Sequence, residues 1–184
     1  MRTALCALAM IALTSCSAGN SNTPANADPS CTNDQAQQVP QTGAREDLIL
    51  RGIAGASDNI FIARIADKDS TYTGPFGDPV DVYKADVRNT LTGRASGSIH
   101  VALGGVKNPD GSVCHYANLA LGPGRTYLLA TIFNSDRTVY AIRAQPQALS
   151  ELTEDDLPMV GSPDEPAPVK AMREAIEAPI APGM

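Results

Sequence analysis

Five segments in the middle of the chain have the hydrophobic pattern of β-strands. In one of them, Tyr83, Ala85 and Val87 alternate with charged residues, and this period of two is typical of a strand buried on one face. Another is a short run rich in branched apolar side chains, bounded by polar residues on both sides. The five predicted strands are residues 60–65, 80–91, 99–103, 127–133 and 138–142.

Glycine and proline are dense between these strands, as in residues 74–79 and 122–124, which indicates tight loops. A five-stranded antiparallel sheet of this size avoids open edges by curling into a small barrel. Short peripheral helices are expected around it. Residues 45–54 fit a helix or a strand about equally, residues 149–157 fit a turn or helix, and residues 169–178 fit a weakly amphipathic helix. That last helix either packs on the barrel or contacts a partner.

The N-terminus has the pattern of an export signal. Arg2 precedes an apolar run over residues 4–13, too short to span a bilayer. The residues that follow, Leu13-Thr14-Ser15-Cys16, resemble the lipobox of bacterial lipoproteins. The resemblance implies cleavage before Cys16, a lipid on its sulfur, and a place at the outer face of a cell membrane. An ordinary secreted protein cleaved nearby is the alternative.

Composition divides the rest of the chain. Residues 16–40 are rich in small and polar side chains, so we expect the lipidated cysteine followed by a flexible linker. Residues 41–145 form the predicted barrel domain. Residues 146–184 form an acidic, proline-rich tail with 8 acidic and 2 basic residues, whereas residues 16–145 are nearly neutral. No concentrated basic surface is expected, and this argues against a nucleic-acid partner.

Two cysteines remain once the signal is removed and Cys16 carries lipid. Cys31 and Cys114 form an even pair outside the cytoplasm, which suggests a disulfide. Closing a loop of about 80 residues would stabilise the fold by about 4 kcal/mol in the chain-entropy model. Free thiols, or pairing with another chain, are the alternatives.

A family resemblance rests on the order of several short motifs. These are the first strand, the turn Leu91-x-Gly93, the pair Gly104-Gly105, then Cys114, and the block from Leu121 to Leu129. Together they resemble the netrin-like modules related to tissue inhibitors of metalloproteinases, and the bacterial relatives of those modules. The resemblance covers about residues 45–143 and implies an oligonucleotide/oligosaccharide-binding (OB) barrel. It implies a fold more than a function.

In the animal inhibitors that the chain resembles, the free amine and carbonyl of an N-terminal cysteine next to the barrel coordinate the protease zinc. Here the predicted N-terminal residue, Cys16, is acylated and lies well before the first strand. No Cys-x-Cys pair precedes that strand. We therefore assign no inhibitory residue.

Other candidate chemistry is sparse. His100 and His115 lack the spacing of a transition-metal site, so solvated or structural roles are favoured for both. Four aspartates could converge on calcium, but the glycine-spaced loop of a calcium site is missing and a polar loop is the better interpretation. We assign no catalytic residue, cofactor or metal. The four aspartates are Asp67, Asp69, Asp78 and Asp81.

Two classes of function fit these features. The first is a non-catalytic binding module anchored in the cell envelope, which contacts a protein or another envelope component. The second is an envelope enzyme whose site is assembled from scattered residues, or a protein that resembles a protease inhibitor. A shallow groove would favour binding, and a deep pocket with converging polar groups would favour catalysis.

The lipid anchor can be tested by one substitution. Cys16→Ala removes the sulfur that would carry the lipid, so fatty-acid labelling should disappear and the protein should leave the membrane fraction. Metabolic labelling followed by sedimentation of membranes measures both. A substituted protein that still labels and still sediments with membranes would show that the anchor prediction is wrong.

Overall fold

The computed structural model describes residues 43–181. The predicted signal peptide of residues 1–15, the lipid site Cys16, the linker of residues 16–40 and Cys31 lie outside this range. The described chain is mainly β, with a mixed sheet of seven strands and two α-helices. The mainly β prediction is therefore confirmed.

The elements follow one another with short connections. Residues 45–54, which fitted a helix or a strand, lie in the first helix. Short 3₁₀ turns lie at Tyr116–Asn118, Pro146–Ala148 and Leu157–Met159. The helices and strands are α1 (Gly43–Gly55), β1 (Asn59–Thr73), β2 (Pro79–Thr92), β3 (Ser98–Lys107), β4 (Val113–His115), β5 (Thr126–Asn134), β6 (Val139–Ile142), β7 (Leu149–Leu152) and α2 (Ala167–Glu177).

The strands pair in the order β1-β2-β3-β6-β5-β7, with β4 on β3, and β1 also pairs with β5. The contact between β1 and β5 is antiparallel and runs from Asn59↔Thr131 to Arg64↔Thr126. The path β1-β2-β3-β6-β5 thus returns to its first strand after five strands. An odd number of strands cannot all be antiparallel to both neighbours, and the pair β3–β6 is indeed parallel. The prediction of a five-stranded, wholly antiparallel sheet is wrong, because the sheet has seven strands and one parallel pair.

The five predicted strands lie in β1, β2, β3, β5 and β6, but β1 is much longer than predicted. Its second half runs through Asp67 to Ser70, a stretch expected to end the strand. Register shifts on both sides of Lys68 interrupt the pairing with β2, and the polar side chains of this half are exposed. This half is held by its pairing with β2, which is itself paired with β3, so the strand continues through these polar residues.

Two short strands were not predicted. β4 has three residues and pairs with the end of β3. β7 lies where a turn or helix was expected, because the spacing of Leu149 and Leu152 fits a helix. In the structure those two side chains are buried in different clusters, on opposite sides of the sheet. The backbone of residues 149–152 is a strand because it pairs with β5, and the local sequence pattern does not reveal that pairing.

The sheet is buried on both faces along β1 and β5. The inner cluster is built around Phe61, Ile65 and Leu129. The outer cluster places Ile62 and Leu128 against the helices. Its helical members are Ile53, Val169, Met172 and Ala175.

Of the two alternatives for the C-terminal helix, packing on the sheet is the one found. Its apolar stripe is buried in the outer cluster with Ile53 of α1. β7 also joins the sheet through β5. Both β7 and α2 are therefore packed against the rest of the described chain.

The turn Leu91-x-Gly93 is fixed by a side chain from β1. Asn59 Oδ1 accepts hydrogen bonds from the backbone N–H groups of Arg94 and Ala95, at 2.7 and 3.2 Å. Gly93 has a φ of 93°, and a Cβ at that position would lie 2.2 Å from Asn59 Oδ1. Glycine is required there both by the backbone angle and by this close approach.

The inner cluster predicts a large effect for one truncation. Leu129 is fully buried, so Leu129→Ala removes buried apolar surface and leaves a cavity. We expect the free energy of unfolding to fall by about 2–5 kcal/mol. Leu48→Ala is the matched control, because Leu48 is 52% exposed on α1 and should change stability by less than about 0.5 kcal/mol. Denaturant melts measure the free energy of unfolding of both variants. Equal effects of the two substitutions would contradict the assignment of Leu129 to the core.

Candidate functional site

Of the residues assigned a role from the sequence, only Cys114 is described. It lies in β4, opposite Val106 of β3, and is half-buried. Cys16 and Cys31 are outside the described residues, so the lipid site and the disulfide stay predictions. A bond between Cys31 and Cys114 would attach the N-terminal segment to this margin of the sheet.

The most buried carboxylate of the described residues contacts His115, which follows Cys114 in the sequence. Asp81 of β2 has a side chain only 5% exposed. Its Oδ2 accepts from Lys68 Nζ at 2.7 Å and lies 3.1 Å from Nε2 of His115. Its Oδ1 accepts from the Thr71 hydroxyl at 2.7 Å. The carboxylate therefore joins β1, β2 and β4.

The partners of Asp81 decide its charge. Burial by itself would raise the pKa of this carboxyl, because a charged group loses its hydration. The hydrogen bonds from Lys68, Thr71 and His115 outweigh burial and hold the pKa of Asp81 below its ordinary value. Asp81 is thus a carboxylate at neutral pH, with both oxygens engaged.

These contacts favour a structural role for Asp81 and His115. A general base must reach the proton that it removes from a substrate. The Asp81 carboxylate is almost fully buried, and both of its oxygens already have donors within the fold. His115 is buried too, in agreement with the structural role favoured from the sequence.

The aspartates considered for calcium have different partners. Asp69 pairs with Lys84 at 3.0 Å and lies 3.8 Å from His100 Nε2; the hydrogen bond from Lys84 lowers the pKa of Asp69. Asp78 accepts from the Tyr116 hydroxyl at 2.5 Å, which raises the pKa of Tyr116. Within residues 43–181, no three His, Cys, Asp or Glu side chains are grouped as metal ligands would be.

A groove lies where α1 and α2 approach β5 and β7. Its volume is about 450 Å³, inside the range of about 300–1,000 Å³ that is typical of ligand pockets. Acidic side chains from both helices lie beside apolar ones from α2 and β5. The lining residues are Glu46, Asp47, Leu50, Leu128, Gln147, Ser150, Ala167, Pro168, Ala171, Met172 and Glu174.

A second hollow lies near the turn between β1 and β2. It has a volume of about 360 Å³, and its lining includes Tyr72, Pro79 and Lys107. The Arg137 guanidinium lies 3.9 Å from the centre of the Tyr72 ring. Phe76, in the same turn, is 90% exposed. A single exposed apolar side chain is common on protein surfaces and identifies no ligand.

Comparison with known proteins leaves the family open. No protein-family model matches the sequence, and no curated protein is significantly similar to it. None of the described helices has the length and apolar character needed to cross a membrane.

Sequence reasoning identified neither the groove nor the cluster around Asp81. The residues on the two sides of the groove are more than 100 positions apart, and no local pattern relates them. Asp81 was recognised only as one of several aspartates, and His115 only as an isolated histidine. The sequence did indicate that Asp81 is buried, since it lies at the same alternate positions of β2 as Tyr83 and Ala85, on the buried face of the strand.

Removing the charge of Asp81 should destabilise the fold. Asp81→Asn leaves Lys68 and His115 without their carboxylate, and we expect a loss of about 1–3 kcal/mol at pH 7. Asp69→Asn is the matched control and should cost less, because the pair with Lys84 is exposed. Urea melts at a series of pH values measure the free energy of unfolding of both variants.

The pH dependence has a definite sign. Since the folded-state pKa of Asp81 lies below the ordinary value of 3.8, its contribution is complete well above pH 3.8 and is lost as the pH falls through the folded value. The stability difference between the wild type and Asp81→Asn should therefore close in acid. A difference that persists unchanged when both proteins are below that pH would contradict the ionic role of Asp81.

The disulfide has a direct chemical test. Peptide mapping of the protein without reduction should find one linked pair that contains Cys31 and Cys114. Reduction should separate that pair into two peptides, each then open to alkylation. If both thiols alkylate before reduction, the predicted bond does not exist.

Proposed function

We propose that the protein is a non-catalytic interaction module, held at the outer face of a cell membrane by a lipid on Cys16. Its folded body would be a small OB-like barrel of the netrin-like kind, carrying two helices on one side. A disulfide between Cys31 and Cys114 would fasten the linker to that body. The proposed partner is a protein or another component of the cell envelope.

The support for a barrel comes from the strand pairings. β1 is paired with β2 on one edge and with β5 on the other, and the path β1-β2-β3-β6-β5 leads back to β1. The single parallel pair, β3–β6, follows from the odd number of strands in that path. Closing a sheet on itself removes the exposed edges that promote association between sheets.

The observation that carries the functional proposal is a contrast between two polar regions. Asp81, the buried carboxylate, has donors on both oxygens and holds three strands together. The groove between α1 and α2 instead presents exposed carboxylates beside apolar side chains. Side chains engaged within the fold favour stability, whereas an open groove in which Glu46 and Glu174 form no ion pair with residues 43–181 favours binding.

Capture of partners from native envelopes tests this proposal. The tagged, lipidated protein is crosslinked in intact cells and purified, and its partners are quantified by mass spectrometry. Cys16→Ala is the matched control, because it removes the anchor and leaves the folded body unchanged. A defined set of envelope components should be enriched with the anchored form. Identical background proteins with both forms would contradict the proposal.

A further inference from the structure

The two helices that form the walls of the groove both present acidic side chains next to apolar or small ones. On α1, Glu46, Asp47 and Leu50 fall at i, i+1 and i+4, so they share one face of that helix. On α2, Ala167, Ala171 and Glu174 fall at i, i+4 and i+7 and also share a face. Both faces line the groove. Each wall thus carries acidic side chains beside apolar or small ones.

The bottom of the groove is apolar and fixed. Leu128 and Met172 belong to the outer cluster and are almost fully buried. Leu50 and Ala171 are half-buried and continue this apolar surface toward solvent. An apolar side chain that entered between them would be removed from water, which favours binding.

Glu46, Asp47 and Glu174 form the acidic rim of the groove. Few cations among the described residues pair with their negative charges. Glu46 and Glu174 are exposed and take part in none of the ion pairs of residues 43–181. Asp47 is 59% exposed, and its contact with Arg51 is long, at 3.9 Å.

The cations of α2 do not neutralise the rim. Arg173 is engaged with Glu165 at 2.9 Å, and Lys170 is not among the lining residues. The segment that contains α2 is acidic as a whole, since residues 146–184 hold 8 acidic and 2 basic residues. The charged side chains that line the groove, Glu46, Asp47 and Glu174, are therefore all acidic.

From this arrangement we infer that the groove binds a short segment of a partner protein in which lysine or arginine flanks an apolar side chain. The apolar side chain enters between Leu50 and Ala171, and the flanking cations lie over Glu46 and Glu174. A volume of about 450 Å³ holds a few side chains and not the surface of a folded domain. The inference rests on the proposed interaction role and names the surface and the chemistry of the partner.

Charge complementarity selects this occupant over a purely apolar one. An uncharged segment would cover the rim carboxylates without pairing them, and desolvation of an unpaired charge is costly. A cationic segment forms pairs at the rim that remain partly exposed, and such pairs steer association and are weakened by salt.

Synthetic peptides test the inference on the full chain as purified from the cell. One peptide alternates lysine and leucine over six residues, a second alternates glutamate and leucine, and a third alternates lysine and serine. The lysine/leucine peptide alone should bind, should bind more weakly as salt is raised, and should shift the NMR signals of the groove residues. Equal binding of the lysine/leucine and glutamate/leucine peptides would overturn the inference, as would the absence of binding by all three.

Charge reversal at the rim supplies the matched variants. Glu46→Lys with Glu174→Lys should weaken the lysine/leucine peptide by at least about fivefold, from the loss of two rim pairs. Glu154→Lys with Asp155→Lys makes the same change in net charge at exposed residues outside the groove, and should change affinity by less than about twofold. If the first pair of substitutions impairs folding, Glu46→Gln with Glu174→Gln replaces it, with an expected loss of at least about twofold. Unchanged affinity in a folded rim variant overturns the inference.

The same variant separates this inference from the proposed function. If the rim variant loses the peptide but still captures the envelope partner, the groove is not the docking surface and the interaction role stands. If the wild type captures no envelope partner, the interaction role fails even where the peptide binds. Loss of both the peptide and the envelope partner in the rim variant supports the inference.

Discussion

The rest of the described structure depends on the first half of β1, which is buried on both faces and paired along both edges. Ile60, Phe61, Ile62 and Ala63 are all inaccessible to solvent. A strand in such a position must be apolar at successive residues, because neither of its faces reaches water. Alternate side chains enter the inner and the outer cluster. This one segment thereby links the two hydrophobic clusters and the two halves of the sheet.

The groove follows from the outer face of the same strands. β1 and β5 present Ile62 and Leu128 on that face, and α1 and α2 cover it. Leu128 also lines the groove between the helices. The geometry of the proposed binding surface is therefore set by the packing of α1 and α2 on the sheet.

The sequence predicted those parts of the structure that depend on local patterns. Alternation over Tyr83 to Val87 located β2, and the apolar run at Ile60 located β1. β4 and β7 were not predicted, because three- and four-residue strands depend on partners distant in the chain.

The site depends on contacts that no local pattern encodes. Asp81 and His115 are 34 residues apart, and only the pairing of β4 with β3 brings the histidine to the carboxylate. Glu46 and Glu174 are far apart in the sequence, but both line the acidic rim of the groove. The charge of each residue was visible, but the packing of the two helices decides which charges share a surface.

Amide hydrogen exchange along β1 tests the central claim most directly. In a strand paired on both edges, successive N–H groups are protected in turn by one neighbour and then by the other. The amides of residues 60–64 should therefore all exchange slowly, at a rate set by global unfolding. Protection of every second amide, with rapid exchange of those that face β5, would show that β1 is an edge strand and would contradict the account.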